Sequence, residues 1–563
     1  MTKILVNSQG KAFVSSGKAI VSPEFVGVER AVNSSHKLTN QVSSAIDLVN
    51  EGITDIGDYG LAYAYRGSPI SDTVNFSSLT TLSGSYALYY TFYSSTVPSV
   101  DFSGLTTIVG YDAGYYTFYG CTSLTSVNFR NLLSIGNSSY PSTGGYGYQC
   151  AYMFSGCSNL ASVDLRSLTT VYSYDSCYYM FSACSSLTTV NLSSLTTVAG
   201  SYGCSYMFSG CTGMTSIDLS SLSTISGQYG CYYMFNNCQS LSSIDLSSLT
   251  TIANYGCQYM FYNCPALTSA DLSGLTTISN SSACAYMFSA CKNFATVDLS
   301  NLTTISASSG CNYMFGTSSS YGTPTNANTA MTSIDLSSIT TISGGSACSR
   351  MFSYCTGLQS VDLSGLTTLS GTDAFSSMFY GCTSLTDVDL SSLVTPTGVE
   401  CFYYMFYNCT SLVSLDLSSI TSLPRNACYY MFYGCNHLTS VDLSNLEECP
   451  DTSNNGYCFR YMFYNCTALT TFSLPKLKSV PNGYTFGNMF QGCTSLTSVS
   501  FPALKSNSFG SYTTQFNNML SGCTGVTVHF PSNLQSVIGS WTDVVNGFGG
   551  TSCVAVFDLT ATS

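Results

Sequence analysis

The chain has 563 residues, 45% of them hydrophobic and only 8% charged, with a formal net charge of −13. That balance is too apolar and too weakly charged for a disordered chain, and too long for one ordinary core, so it points to several domains or a repeat array. The 15 Lys and Arg residues form no dense patch, which excludes an extended nucleic-acid surface built on phosphate contacts.

Residues 1–70 come first. Lys3-Ile-Leu-Val and Ala12-Phe-Val are short β-type runs broken at Gly10 and at Ser16-Gly17, and six of the basic residues (Lys3, Lys11, Lys18, Arg30, Lys37 and Arg66) fall here. We expect an attachment or oligomerisation segment that ends in an opening cap near residues 52–84. The first residues hold no apolar run with a small-residue cleavage site, and no stretch approaches the roughly 20 apolar residues of a membrane helix. The expectation is therefore a chain made in a cytosol, with no membrane insertion.

A repeat fills residues 71–525. Aligned on Met-Phe and its variants, sixteen copies run from Phe92, Phe118, Phe154 and Phe181 through to Phe463, Phe490 and Leu520, most of them spaced by 26 or 27. One copy reads Cys204-Ser-Tyr-Met-Phe-Ser-Gly-Cys-Thr-Gly-Met-Thr-Ser-Ile-Asp-Leu-Ser-Ser-Leu-Ser-Thr-Ile225. Its Met214, Ile217 and Leu219 have the spacing of a solenoid strand with alternate side chains turned inward. The Tyr-Met-Phe segment is expected as a short helical turn on the opposite wall. Three insertions break the period, at Ser138 to Gln149, Gly316 to Ala330 and Pro450 to Tyr457, and their tyrosines Tyr140, Tyr146 and Tyr321 are candidate ligand contacts. Residues 526–563 abandon the repeat, hold the single tryptophan, Trp541, and are expected to cap the array.

The Phe-Ser-Gly-Cys-Thr-x-Leu-Thr-Ser-Val-Asp-Leu pattern resembles the BspA-type, Treponema-like class of leucine-rich repeats over roughly residues 85–530. The resemblance implies a β-rich α/β solenoid of about 16 repeats of 26–27 residues. It also implies a surface protein that adheres to host proteins, other cells or polysaccharides.

Three columns of side chains recur with the repeat. Most of the 27 cysteines flank Met-Phe in pairs such as Cys204/Cys211 and Cys428/Cys435. Seven residues apart they are too distant for a bond within one copy, and the spacing does not suit zinc, so they read as buried thiols acting as small hydrophobes. A second column is acidic and turns outward: Asp101, Asp164, Asp218, Asp245, Asp271, Asp298, Asp335, Asp362, Asp389, Asp416 and Asp442, with Asn128 and Asn191 between them. Carboxylates about 5 Å apart repel, and the repulsion can be relieved by hydroxyl hydrogen bonds, raised pKa values or bound cations. The row from Asp164 to Asp442 is thus either a binding stripe for sugar hydroxyls, with Ca2+ as its candidate cation, or a ladder satisfied by its own Ser and Thr neighbours. The third column is tyrosine, including Tyr152, Tyr179, Tyr206, Tyr233, Tyr404 and Tyr430, half of it expected to pack between repeats.

Catalysis finds no support, since His36, His437 and His529 are scattered and match no triad or metal motif. The expected function is that of an adhesin recognising a cell-surface glycan or protein receptor. With no export signal, a bacteriophage fibre anchored to its virion through residues 1–70 is the leading form. A bacterial surface adhesin and a purely structural coat or filament are the alternatives.

Overall fold

The computed structural model describes residues 54–136, 147–318, 324–450, 456–480, 483–505 and 514–560, together with the antiparallel pair Val14–Ser15 and Lys18–Ala19. The chain divides into two compact units, Met1–Leu275 and Thr276–Ser563. Each is a leucine-rich-repeat solenoid of parallel strands, as the period implies.

Most described turns of the solenoid are built alike. In the first unit a three-residue strand such as Ser216–Asp218 is followed by a two-residue strand such as Thr224–Ile225. Ser216 and Asp218 face out while Ile217 is buried, the alternation a one-sided strand requires. The three-residue strands pair in parallel and in register, Thr189 against Ser216, Val190 against Ile217 and Asn191 against Asp218. The two-residue strands form a second parallel sheet from Thr81–Leu82 to Thr251–Ile252. The second unit repeats this plan, with aligned strands such as Ser333–Asp335, Ser360–Asp362 and Asp387–Asp389. Its sheet continues into residues 526–563, where Thr527–Pro531 pairs in parallel with Ser498–Ser500 and with Val554–Leu559. Two short helices, Gln535–Ile538 and Thr542–Val545, lie between them, and the Trp541 ring is 6.4 Å from Phe516.

The wall expected as a helical turn is something else: a coil of overlapping turns, with a left-handed residue at every fourth position. In one copy these are Tyr202, Tyr206 and Gly210, at φ of 53°, 55° and 76°. Backbone N–H groups alternate along the coil. Gly203, Ser205, Met207, Ser209 and Cys211 donate three residues back, to Gly200, Tyr202, Cys204, Tyr206 and Phe208. Tyr202, Cys204, Tyr206, Phe208 and Gly210 donate instead to the next repeat, to Gln228, Gly230, Tyr232, Met234 and Asn236, at 2.8–2.9 Å. A helix satisfies its donors within itself, whereas this coil needs a neighbour for half of them. A left-handed bulky residue costs on the order of 1–2 kcal/mol, so the conformation persists because the adjoining repeat holds it.

Three stacks of side chains hold the coil to the sheets. Phenylalanine rings form an unbroken pile in the first unit from Phe92 to Phe261, with centroids 4.9–5.5 Å apart and planes within 7° of parallel. All 27 cysteine side chains are buried thiols, as expected, but they are more than small hydrophobes. In most pairs the second donates its S–H to the carbonyl of the preceding repeat's phenylalanine, as Cys211 does to Phe181 at 3.1 Å and Cys435 to Phe406 at 3.0 Å. Burial pushes the Cys211 thiol up to about 12, so it remains a donor. Outside these lies the tyrosine stack, half-buried, in which Tyr152, Tyr179, Tyr206, Tyr233 and Tyr259 follow one another at 4.4–5.0 Å. Their left-handed backbone is what points them along one line.

Candidate binding face

The outward column of the three-residue strands is the natural candidate site, because parallel register repeats it identically from strand to strand. Each aspartate closes the strand and turns back on its own chain. The Oδ1 atoms of Asp218, Asp245 and Asp271 accept the backbone N–H of Ser220, Ser247 and Ser273 at 3.1, 2.9 and 2.9 Å. Asp298, Asp335, Asp362, Asp389, Asp416 and Asp442 do the same with Ser300, Ser337, Ser364, Ser391, Ser418 and Ser444 at 2.8–2.9 Å. The Ser220 hydroxyl adds a second bond to Asp218, at 2.7 Å. These bonds hold the carboxyls of Asp298, Asp335 and Asp416 below the usual range, so they stay ionised.

Of the three ways to relieve the row, the structure therefore uses hydrogen bonds, and at Asp298, Asp335 and Asp416 these favour the charged form. Ca2+ takes about six to eight oxygen ligands. Here each aspartate of the row from Asp218 to Asp442 is already turned to its own backbone, and among the described residues no group of three or more acidic, His or Cys side chains could hold a metal. The row does not fit a calcium cage. Replacing Asp218 by Ala is expected to cost about 1 kcal/mol by removing the turn's acceptor, whereas Asn, which already fills Asn128 and Asn191, keeps it and costs close to nothing. Chemical denaturation of the two variants checks this, and equal losses would show that charge matters more than the turn.

The tyrosines of the insertions, Tyr140, Tyr146 and Tyr321, lie outside the described residues. His437 sits at 2.6 Å from the Thr410 carbonyl and His529 at 3.1 Å from Asp558, far apart in sequence and in separate repeats.

The face is not uniform. A groove of about 430 Å³ opens on it in the first unit, lined by Ser126, Asn128, Arg130, Ser162, Asp164, Arg166, Thr189 and Asn191. Asp164 pairs with Arg166 at 2.7 Å, and both Arg166 and Arg130 hold its carboxyl low. Sequence reasoning placed Asp164 on the face but passed over the two arginines. The signal was present, since both stand where nearly every other copy has serine.

Comparison with known proteins settles the class of repeat. The BspA type leucine rich repeat region matches the chain in six copies that together run from residue 46 to residue 541. The chain belongs to this family. Solved structures similar to this BspA-type chain include a leucine-rich repeat protein from Bacteroides ovatus, with 21% identity over 80% of this chain and 87% of that one and a TM-score of 0.46. A leucine rich cell surface protein from Faecalibacterium prausnitzii shares 17% over 83% and 93%, with a TM-score of 0.28. The pneumococcal vaccine antigen PcpA shares 14% over 93% and 96%, also at 0.28. No curated protein matches the chain in sequence. Among the described residues of this BspA-type protein, no helix is long and apolar enough to cross a membrane.

Proposed function

We propose that the chain is a non-enzymatic adhesin that recognises a cell-surface glycan or protein receptor through the outward face of its three-residue strands. The observation that carries this reading is the register of that face. Successive strands present the same hydroxyl, carboxylate and hydroxyl, aligned residue against residue, as in Ser333–Asp335 and Ser360–Asp362. A surface that repeats at the strand spacing suits a ligand that repeats as well, and an extended solenoid face gathers many weak contacts into a useful affinity. Membership of the BspA-type family supports a surface-binding role. In this reading residues 1–70 supply the attachment to the virion or cell that displays the repeats.

The test is binding of purified protein to a panel of intact bacterial cells and isolated surface polysaccharides, with and without EDTA. Strain-selective binding is expected, and EDTA is expected to leave it unchanged, because the carboxylates are satisfied by their own backbone. Absence of binding to every member would overturn the adhesin reading in favour of a coat or filament.

A further inference from the structure

The groove in the first unit departs from the rest of the face in three ways that coincide. The residue two places after the strand's Asp or Asn is serine in Ser103, Ser193, Ser220, Ser247 and Ser273, but arginine in the adjacent repeats at Arg130 and Arg166. The acidic position itself is amide at Asn128 and Asn191, on either side of Asp164, with Asn128 and Asn191 both paired to Asp164 in register. And it is here that the face is hollowed into a groove.

The charge balance follows directly. In the flanking repeats the row carries carboxylates without a guanidinium two places on, as at Asp101, Asp218, Asp245 and Asp271. Between Asn128 and Asn191 it carries one carboxylate and two guanidiniums. Arg166 occupies Asp164 fully, its Nε at 2.8 and 3.0 Å from the two carboxylate oxygens and a terminal nitrogen at 2.7 Å. The next carboxylate along the row, Asp101, is engaged by the Ser103 amide at 2.8 Å and the Asn128 side-chain amide at 3.2 Å. Arg130 is exposed, and its backbone is fixed at both ends: its N–H donates to Asn128 and its carbonyl accepts from the Ser167 hydroxyl at 2.6 Å. The groove is thus a site of net positive charge on an acidic face, with hydroxyl and amide groups around it.

The geometry points to a binding site for an anionic saccharide, its acidic group set between Arg130 and Arg166 and its hydroxyls on Ser126, Ser162, Thr189 and the asparagine amides. Arg130 presents a fork of donors that suits a planar or tetrahedral oxyanion, and Arg166, held by Asp164 through its Nε and one terminal nitrogen, offers its other terminal nitrogen beside it. The hydroxyl and amide surroundings suit a sugar better than a protein partner, since the apolar lining is confined to the buried Val127 and Val163 and offers no large aromatic anchor. This assignment rests on the adhesin reading and gives it a ligand class. Polysaccharides that are uncharged would gain nothing from the arginines.

The experiment titrates the intact protein with polygalacturonate, its fully methyl-esterified neutral form, a phosphomannan and poly-glutamate. Binding of polygalacturonate or phosphomannan without binding of the ester is expected, and the stronger of the two names the anion as carboxylate or phosphate. In R130S/R166S, which restores the serine of the neighbouring repeats and so leaves the fold intact, affinity is expected to fall at least tenfold. A second variant, N128D/N191D, keeps the arginines and is expected to weaken binding by adding two carboxylates. Unchanged affinity in R130S/R166S, equal binding of the ester, or tighter binding of poly-glutamate would each overturn the proposal. If R130S/R166S binds cells as the wild type does, the groove fails and the adhesin reading stands. If the arginines bind acidic polymers while no cell is bound, the adhesin reading fails and the groove stands.

Discussion

Replacing Phe208 by alanine is expected to destabilise the first unit by about 3–5 kcal/mol, the range for emptying a buried aromatic site. The ring is fully buried, and it lies 5.5 Å from Phe181 and 5.4 Å from Phe235 with planes within 7° of parallel. Collapse around the cavity is opposed by the coil itself, because the Phe208 N–H is tied to Met234 and its carbonyl takes the N–H of Cys211. A solenoid repeat touches only its neighbours, so the loss falls on two interfaces at once and should split the unfolding transition of the unit. Leucine is expected to cost much less, since Leu520 fills the equivalent place in the last copy, where it is fully buried. Urea denaturation followed by limited proteolysis between residues 181 and 235 reads both effects. A loss below about 1 kcal/mol for the alanine variant would mean that the ring pile is filler and that the backbone ladder alone holds the repeats.

The second large effect is a pH dependence centred on Asp175. Its backbone is left-handed, at φ of 53°, a conformation that Asp and Asn accept more readily than other side chains. The same place in other repeats holds Asp112, Asp373 and Asn426. The coil then buries what the backbone selected. Asp175 is 6% exposed, and burial pushes its carboxyl up to about 7. Asp112 reaches only about 6, because the Tyr148 N–H donates to it at 3.0 Å and favours the charged form. A folded pKa above the unfolded one means that the folded protein binds more protons between the two values. Stability should therefore fall as pH rises from about 4 to about 7 and level off above. Asp175→Asn keeps the backbone conformation and removes the titration. The two proteins are expected to match near pH 4 and to differ by on the order of 2–4 kcal/mol at pH 8, the variant being the more stable. Denaturation at several pH values checks this, and a gap that does not change with pH would refute it. Comparing the pair cancels the carboxylates that behave oppositely, such as Asp164 and Asp335, whose folded values lie low.

Much of this architecture was readable from the chain. The spacing of Phe92 to Phe490 established the solenoid, and the inward Ile217 and outward Asp218 established the strand and its faces. The Tyr-Met-Phe wall was misread because its apolar run suits a helical turn, and periodicity alone does not reveal a left-handed backbone at Tyr202 and Tyr206. Tyrosine is a poor advertisement for that conformation; Gly210 and Asn237, in the third left-handed place of their copies, were the better clues. The cysteines were correctly placed inside, but the direction of their S–H groups depends on where the Phe181 and Phe406 carbonyls fall, which only the fold decides. On the binding face the row was legible and its exceptions were not weighed. Arg130 and Arg166 stood out only once parallel register had set them side by side.

The alternating coil has an electrical consequence. In the first unit, from Tyr59 to Asn237, the coil peptides that bridge to a neighbour share one orientation. The Gln228 carbonyl faces back toward Tyr202, and the adjoining Tyr229 N–H faces forward to Asn254. Peptide dipoles so aligned add along the stack as they do along a helix axis, but with the opposite sense: carbonyls end the stack on its N-terminal side and N–H groups on its C-terminal side. A cut between any two repeats would leave one face made of acceptors and one made of donors. The two are complementary, so each unit carries a built-in polarity that tells its leading end from its trailing end.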